Sequence, residues 1–226
     1  MTRAVVFDFY GTLAEAVDWG PTFEDVLAAH GLGVPEDNAS SHFDRQDGHE
    51  HLAHSVSRDH YVAWEQARLR AYALAAGADG PTTAALVDDL YAASKTFRLR
   101  VYDDVAAAVD ELRRRNCRLA VCSNWDWDLP ELMERLELGD AFDVVVTSAR
   151  AGARKPHPLI YDHTLTALAL HARDVLFVGD SPGPDVEGPI AHGMRAVLLR
   201  RPGTADVAAP EGAQVVHGLE GLFGLV

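Results

Sequence analysis

The chain is 226 residues long and carries 34 Asp+Glu against 20 Lys+Arg, a formal charge of −14. Hydrophobic residues make up 48%, too many for a disordered chain, and the acidic balance excludes a general nucleic-acid binder, which needs a basic face. A chain of this length holds one large domain or a domain with an insert, and it folds without staples.

The first predicted element is Ala4-Val5-Val6-Phe7, a short apolar run ending at Asp8 and Gly11. It reads as a buried parallel strand that opens into a loop. A helix follows, with Pro21 suited to a first turn, Glu24 and Asp25 to the N-terminus, and Phe23, Val26, Leu27 and His30 on one face. Gly31 ends it. Val34 to Arg58 is polar and histidine-rich without a clear period, and reads as a loop or short helices. Asp59 to Ala76 is predicted helical, with Tyr61, Trp64 and Tyr72 near one face as a core. Leu86, Leu90, Ala93 and Phe97 mark another helix.

After about residue 100 the texture changes. Helical patterns around Val105–Leu112, Pro130–Leu138, Leu159–Leu170 and Asp185–His192 each lead to an apolar run. Those runs are Leu119–Cys122, Val144–Val146, Val175–Val178 and Ala196–Leu199. This alternation is the signature of a parallel sheet wrapped by helices. The predicted fold is therefore α/β: a Rossmann-like three-layer core of residues 1–14 and 100–226, with an all-helical domain of residues 15–99 inserted after the first strand.

Cys117 and Cys122 lie in the apolar stretch RNCRLAVCS and read as small buried residues of a reduced, cytoplasmic protein. MTRAVVFDFY has no apolar signal-peptide core, and no run of ~18 apolar residues predicts a membrane span. His49-x-His51-x-x-His54, with His42 and His60 nearby, has the spacing of a zinc site. No Cys partner occurs there, so a solvated or substrate-facing loop is the better reading.

Ligands of open α/β sheets gather at the carboxyl ends of the strands. That rule selects Asp8, then Ser123 and Asn124, then Lys155 before a helix, then Asp180 with Asp185 just beyond it. Asp8 and Asp180 at neighbouring strand ends would repel, and a divalent cation would remove that cost. Oxygen ligands and few protein contacts suit Mg²⁺. A carboxylate can attack phosphorus to give an aspartyl-phosphate. Lys155 would neutralise Asp8 and the phosphoryl group, and the Ser123 hydroxyl with nearby N–H groups would bind phosphoryl oxygens.

These residues form four motifs in order: Val6-Phe7-Asp8-Phe9-Tyr10-Gly11-Thr12-Leu13, Val121-Cys122-Ser123-Asn124, Gly152-Ala153-Arg154-Lys155-Pro156-His157-Pro158 and Val178-Gly179-Asp180-Ser181-Pro182-Gly183-Pro184-Asp185. The set resembles the haloacid dehalogenase-like (HAD) hydrolase superfamily, and the insert resembles the helical cap of the subfamily with that topology. The resemblance implies that Asp8 is the nucleophile. It implies that the Tyr10 backbone carbonyl and Asp180 ligate Mg²⁺, with Asp185 as a ligand or as the residue that orients the ligands. Lys155 would hold the site together, Ser123 and Asn124 would bind the transferring group, and Thr12 would either contact substrate or cap its loop.

Tyr10 is the departure that matters. Phosphatases of this superfamily usually carry a second Asp there, which protonates the leaving group. A phenol of pKa ~10 is a poor substitute as a base. Tyr at this position is similar to the 2-haloacid dehalogenases, whose halide needs no proton. Asp180 and Asp185 point the other way, since a metal-free dehalogenase has no need of acids there. The expected function is a Mg²⁺-dependent phosphatase of a small phosphorylated molecule. The alternatives are a metal-independent C–X hydrolase using Asp8 with Tyr10, and a non-catalytic ligand-binding protein. Trp125 and Trp127 would stack on a substrate or simply pack.

Overall fold

A computed structural model describes residues 2–35, 50–203 and 208–226. His42 and His49 lie outside the described residues. Among the described residues the chain divides into an α/β unit and a helical unit. The first comprises 2–15, 50–53, 100–203 and 208–226, and the second 16–35 and 54–99.

The α/β unit is built on β1 (Ala4–Phe7), β4 (Arg118–Ser123), β5 (Val144–Thr147), β6 (Val175–Gly179), β7 (Arg195–Leu199) and β8 (Gln214–Val216). They form one sheet in the order β5-β4-β1-β6-β7-β8, with every pairing parallel. Strands covered on both faces must be apolar throughout, and all four residues of β1 and all five of β6 are buried. β1 sits between β4 and β6, with Ala4 registered against both Arg118 and Val175. The loops after these three strands therefore converge.

Helices α4 (Val105–Arg114), α5 (Leu129–Arg135), α6 (Ser148–Ala151), α7 (Pro158–Leu168) and α8 (Gly188–Ala191) accompany the sheet. Ile160, Tyr161 and Leu168 of α7 pack with Val6, Ala120 and Phe177 in one cluster. Burying an aliphatic side chain of this size stabilises by roughly 1.5–3 kcal/mol. Both cysteines are free and buried.

Three strands escape the sequence pattern: β2 (Ala14–Asp18), β3 (Arg98–Val101) and β8. β2 and β3 form a two-stranded ribbon where the chain passes from one unit to the other. Their sequences, AEAVD and RLRV, mix charged with apolar residues and show no long apolar run. The helix expected over Pro130–Leu138 stops at Arg135, and Glu137 takes a left-handed φ of 60°. The helix expected near Asp185–His192 is instead a π-helical turn, Pro182–Glu187, followed by α8. Pro182, Pro184 and Pro189 lack the N–H groups a regular ladder would need.

In the helical unit, α1 (Phe23–Ala29) starts at a capping box in which Asp25 N–H donates to Thr22 Oγ1 and Thr22 N–H to Asp25 Oδ2. Ser57 caps α2 (Arg58–Ala75) by accepting from His60 N–H. Leu27, Leu69, Tyr72, Leu86 and Leu90, the last two from α3 (Thr82–Lys95), meet in a separate core. No helix among the described residues is long and apolar enough to cross a membrane.

Candidate active site

Asp8 follows β1, and its N–H still donates to Val178 O at 2.8 Å, so the sheet itself sets its position. Oδ1 accepts from Ser123 Oγ at 2.9 Å and from Lys155 Nζ at 2.7 Å. Oδ2 takes no hydrogen bond from the described residues. One oxygen is thereby fixed and the other left to act.

Lys155 is 3% exposed, not a solvated surface lysine. Its ammonium also donates to Asp185 Oδ1 at 2.6 Å, and it lies 5.2 Å from the Phe177 ring centroid. Burial opposes its charge, but Asp185 and Asp8 outweigh burial and drive its pKa up, so the ammonium keeps its proton.

Asn124 has a different role from the one expected. Its Oδ1 accepts from Lys155 N–H at 2.7 Å and its Nδ2 donates to Lys155 O at 3.0 Å. Both ends of the amide are committed to the lysine backbone. Asn124 positions Lys155, and its amide is not available to a substrate as it stands.

Asp185 is 1% exposed and sits in the π-helical turn. Oδ2 accepts from Ser181 N–H at 3.0 Å, so both of its oxygens have donors. Burial pushes its carboxyl up to about 7, against the pull of Lys155. Asp180 accepts from Ser181 Oγ at 3.3 Å, and burial followed by the Asp8 charge pushes its carboxyl up. Asp8, Asp180 and Asp185 each offer an oxygen within 4.8 Å of the others.

Two glycines make this approach possible. A Cβ on Gly11 would lie 2.3 Å from Asp180 Oδ2, and Gly11 also has a φ of +80°. A Cβ on Gly179 would lie 2.3 Å from Asp185 Cγ. No other residue fits either position without moving a carboxylate.

Asp8, Tyr10, Ser123, Asn124, Trp125, Lys155, Asp180 and Asp185 all line a cavity of about 350 Å³, which Ser181 and Pro184 complete. Trp125 meets Phe9 edge-on at 5.2 Å and lies 6.4 Å from the Tyr10 ring. Thr12 is the site residue left out. It is fully buried, its hydroxyl has no hydrogen-bond partner, and a molecule in the cavity cannot reach it as it stands. Its carbonyl accepts from Arg201 Nη2 at 2.6 Å.

Each of the described histidines of the His49–His60 stretch has contacts of its own. His51 is 6% exposed and its N–H donates to Gly152 O at 2.7 Å, so it is not part of a solvated loop. His54 stacks on Trp64 at 5.1 Å, and His60 Nδ1 pairs with Ser57 Oγ. Trp127 packs under the Arg150 guanidinium.

Two supporting residues were not foreseen. Tyr161 of α7 donates from its hydroxyl to Pro184 O at 2.6 Å, bracing the turn that carries Asp185. Arg201, 6% exposed, pairs with Asp104 at 2.7 Å and stacks on Tyr102 at 4.0 Å while holding Thr12 O. The strand-end rule points to Arg201, since it follows the apolar run of β7. No pattern marks Tyr161.

A family model described as haloacid dehalogenase-like hydrolase matches residues 2–193. The chain is 29% identical over 215 residues to human haloacid dehalogenase-like hydrolase domain-containing protein 3, covering 92% of this chain and 85% of that protein. It is 29% identical over 130 residues to haloacetate dehalogenase H-2 of Moraxella sp. (strain B), covering 54% of this chain and 58% of that enzyme. Among solved structures, a HAD phosphatase from Thermococcus onnurineus has a TM-score of 0.65 at 23% identity, covering 100% of this chain and 97% of that one.

Proposed function

The chain belongs to the haloacid dehalogenase-like hydrolase family, and from that premise we propose that it is a Mg²⁺-dependent phosphatase of a small phosphorylated molecule. Kinship does not choose between the chemistries, since a haloacetate dehalogenase and a phosphatase both resemble it. The observation that carries the reading is the group of three carboxylates around one buried ammonium. If all ionise, the group holds an excess of two negative charges.

That donor set fits a hard divalent cation. Asp8 Oδ2 and Asp180 would hold it, with the Tyr10 carbonyl as the further ligand the family resemblance implies. Asp185, with both oxygens already bonded, orients Lys155 and the Ser181 backbone instead. When bound, Mg²⁺ would offset the carboxylate charge and polarise a phosphoryl oxygen.

The residues then divide the work. Asp8 attacks phosphorus through a carboxylate oxygen and forms an aspartyl-phosphate, which water hydrolyses. Ser123 and Lys155 fix the other Asp8 oxygen, and the Lys155 ammonium presents a positive charge to the phosphoryl group. Asn124 holds the Lys155 backbone so that the ammonium stays between Asp8 and Asp185. The helical unit would serve as a cap that gates access.

Phosphate release from a panel of phosphomonoesters tests this. It should require Mg²⁺ and stop with EDTA; activity that survives full chelation contradicts it. Tyr10 on the cavity wall favours the second reading, a metal-independent 2-haloacid dehalogenase. Halide release from a 2-haloacid in EDTA would establish that reading in place of the first.

A further inference from the structure

The walls of the cavity differ in kind. Its floor is ionic, formed by Asp8, Asp180, Asp185 and Lys155. One side is aromatic: Tyr10 is 36% exposed, and its ring lies at 30° to Trp125. Phe9 holds Trp125 in place from below the loop, edge-on at an interplanar angle of 82°.

Two chemical deficits accompany this wall. Lys155 is the one cation among the lining residues, and its ammonium already bonds Asp8 and Asp185. Among the described residues the lining therefore offers no second positive group for another phosphate or a carboxylate on the substrate. The lining carboxylates all belong to the floor trio, within 4.8 Å of one another. Among the described lining residues no carboxylic acid stands apart from them to protonate a departing oxygen. The hydroxyl donor on the aromatic side is the Tyr10 phenol.

We infer, resting on the phosphatase reading above, that the substrate is a phosphate monoester of a planar, uncharged leaving group that departs as a stabilised oxyanion: an aryl or enol phosphate seated against Tyr10 and Trp125. In the first step an Asp8 oxygen bonds to phosphorus as the bond from phosphorus to the leaving oxygen breaks. That oxygen keeps the electron pair and departs as a phenolate or enolate, taking a proton from solvent afterwards. In the second step a water oxygen bonds to phosphorus and the phosphorus bond to Asp8 breaks. The Asp8 carboxylate is restored, and the surplus water proton passes to solvent. A planar group of low basicity satisfies both deficits, because it needs no acid and its face packs on the rings.

The test measures kcat/KM with Mg²⁺ for 4-nitrophenyl, phenyl and 2-phenylethyl phosphate. The last keeps the ring but leaves as an alkoxide. A general acid contributes about 10²–10⁴-fold, so its absence should open a gap of at least about 100-fold between the first and last. Tyr10→Asp should narrow that gap. Trp125→Leu should raise KM for phenyl phosphate by roughly 2–10-fold, the range of a lost ring stack. Values within about threefold across the series, with KM unmoved in Trp125→Leu, overturn the inference and leave the phosphatase reading standing. No phosphate release from any ester, with halide release from a 2-haloacid, overturns the phosphatase reading and the inference with it.

Discussion

The two units bury different things. Among the described residues, every buried Asp, Lys and Arg lies in the α/β unit: Asp8, Lys155, Asp185 and Arg201. Among the described residues the helical unit buries the polar side chain of Thr83 and an apolar core that includes Leu27, Leu86 and Leu90. Burying charge is costly unless each group is paired. The α/β unit accepts that cost at one place, the carboxyl ends of its central strands. The described part of the helical unit has an apolar core, with its polar bonds at helix caps and in ion pairs nearer the surface, such as Lys95 with Glu65. The contrast is between a unit that buries charge and one that, among the described residues, does not.

The largest effect should come from Asp8→Asn. Turnover should fall by about 10⁴-fold or more, as for loss of a nucleophile elsewhere. Removing a charge that crowds Asp180 should leave the melting temperature unchanged or higher. A variant that unfolds instead would make Asp8 structural and blur the contrast. Lys155→Met strips the trio of its counter-charge. It should lose activity and destabilise by about 3–5 kcal/mol in urea titration, the scale for a broken buried pair. A near-neutral result would mean the carboxylates are not jointly ionised.

Leu90→Ala probes the other side. It should cost about 2–5 kcal/mol where it acts. Amide exchange should quicken in α2 and α3 while β1, β4 and β6 keep their protection. Equal loosening of both would show that the units unfold as one. The smallest effect is expected at Asp143, in the loop before β5. Its carboxylate accepts from Leu119 N–H at 2.8 Å and pairs with Arg113 at 2.9 Å. Burial pushes its pKa up, but those partners outweigh burial and hold it below the ordinary value. A depressed pKa stabilises above the unfolded carboxylate's ~3.9, and that contribution is lost as pH falls through the folded value. Asp143→Asn should therefore cost about 1–2 kcal/mol at pH 7. Its stability should converge with the parent chain's below pH ~4.

Much of the α/β unit is legible in the sequence because doubly covered strands must be apolar, as in Val5, Val6 and Phe177. β2, β3 and β8 are not, because short strands that mix charged with apolar residues or stop after three residues carry no such mark. The strand-end rule brings out Asp8, Ser123 and Asp180. It does not reveal that Asn124 holds the backbone of Lys155, 31 residues later, or that Lys155 bridges to Asp185, a further 30 on. Those bonds depend on how loops fold over one another, and spacing does not encode that. The burial of Thr12 is not legible for a related reason. Its loop turns the side chain inward at the point where Arg201 takes its carbonyl.

The central place of β1 has a consequence for how the molecule comes into being. Its neighbours begin at residues 118 and 175, so β1 must wait for two later strands. Asp8, at the end of β1, meets Lys155 only after α6 and α7 have bracketed it. It meets Asp180 only when β6 docks. A chain that stops short of β6 therefore has Asp8, Ser123 and Lys155 but not Asp180 or Asp185, so the group of three carboxylates is complete only once β6 and the turn after it are in place. Pairings between such distant segments also slow the search for the native state.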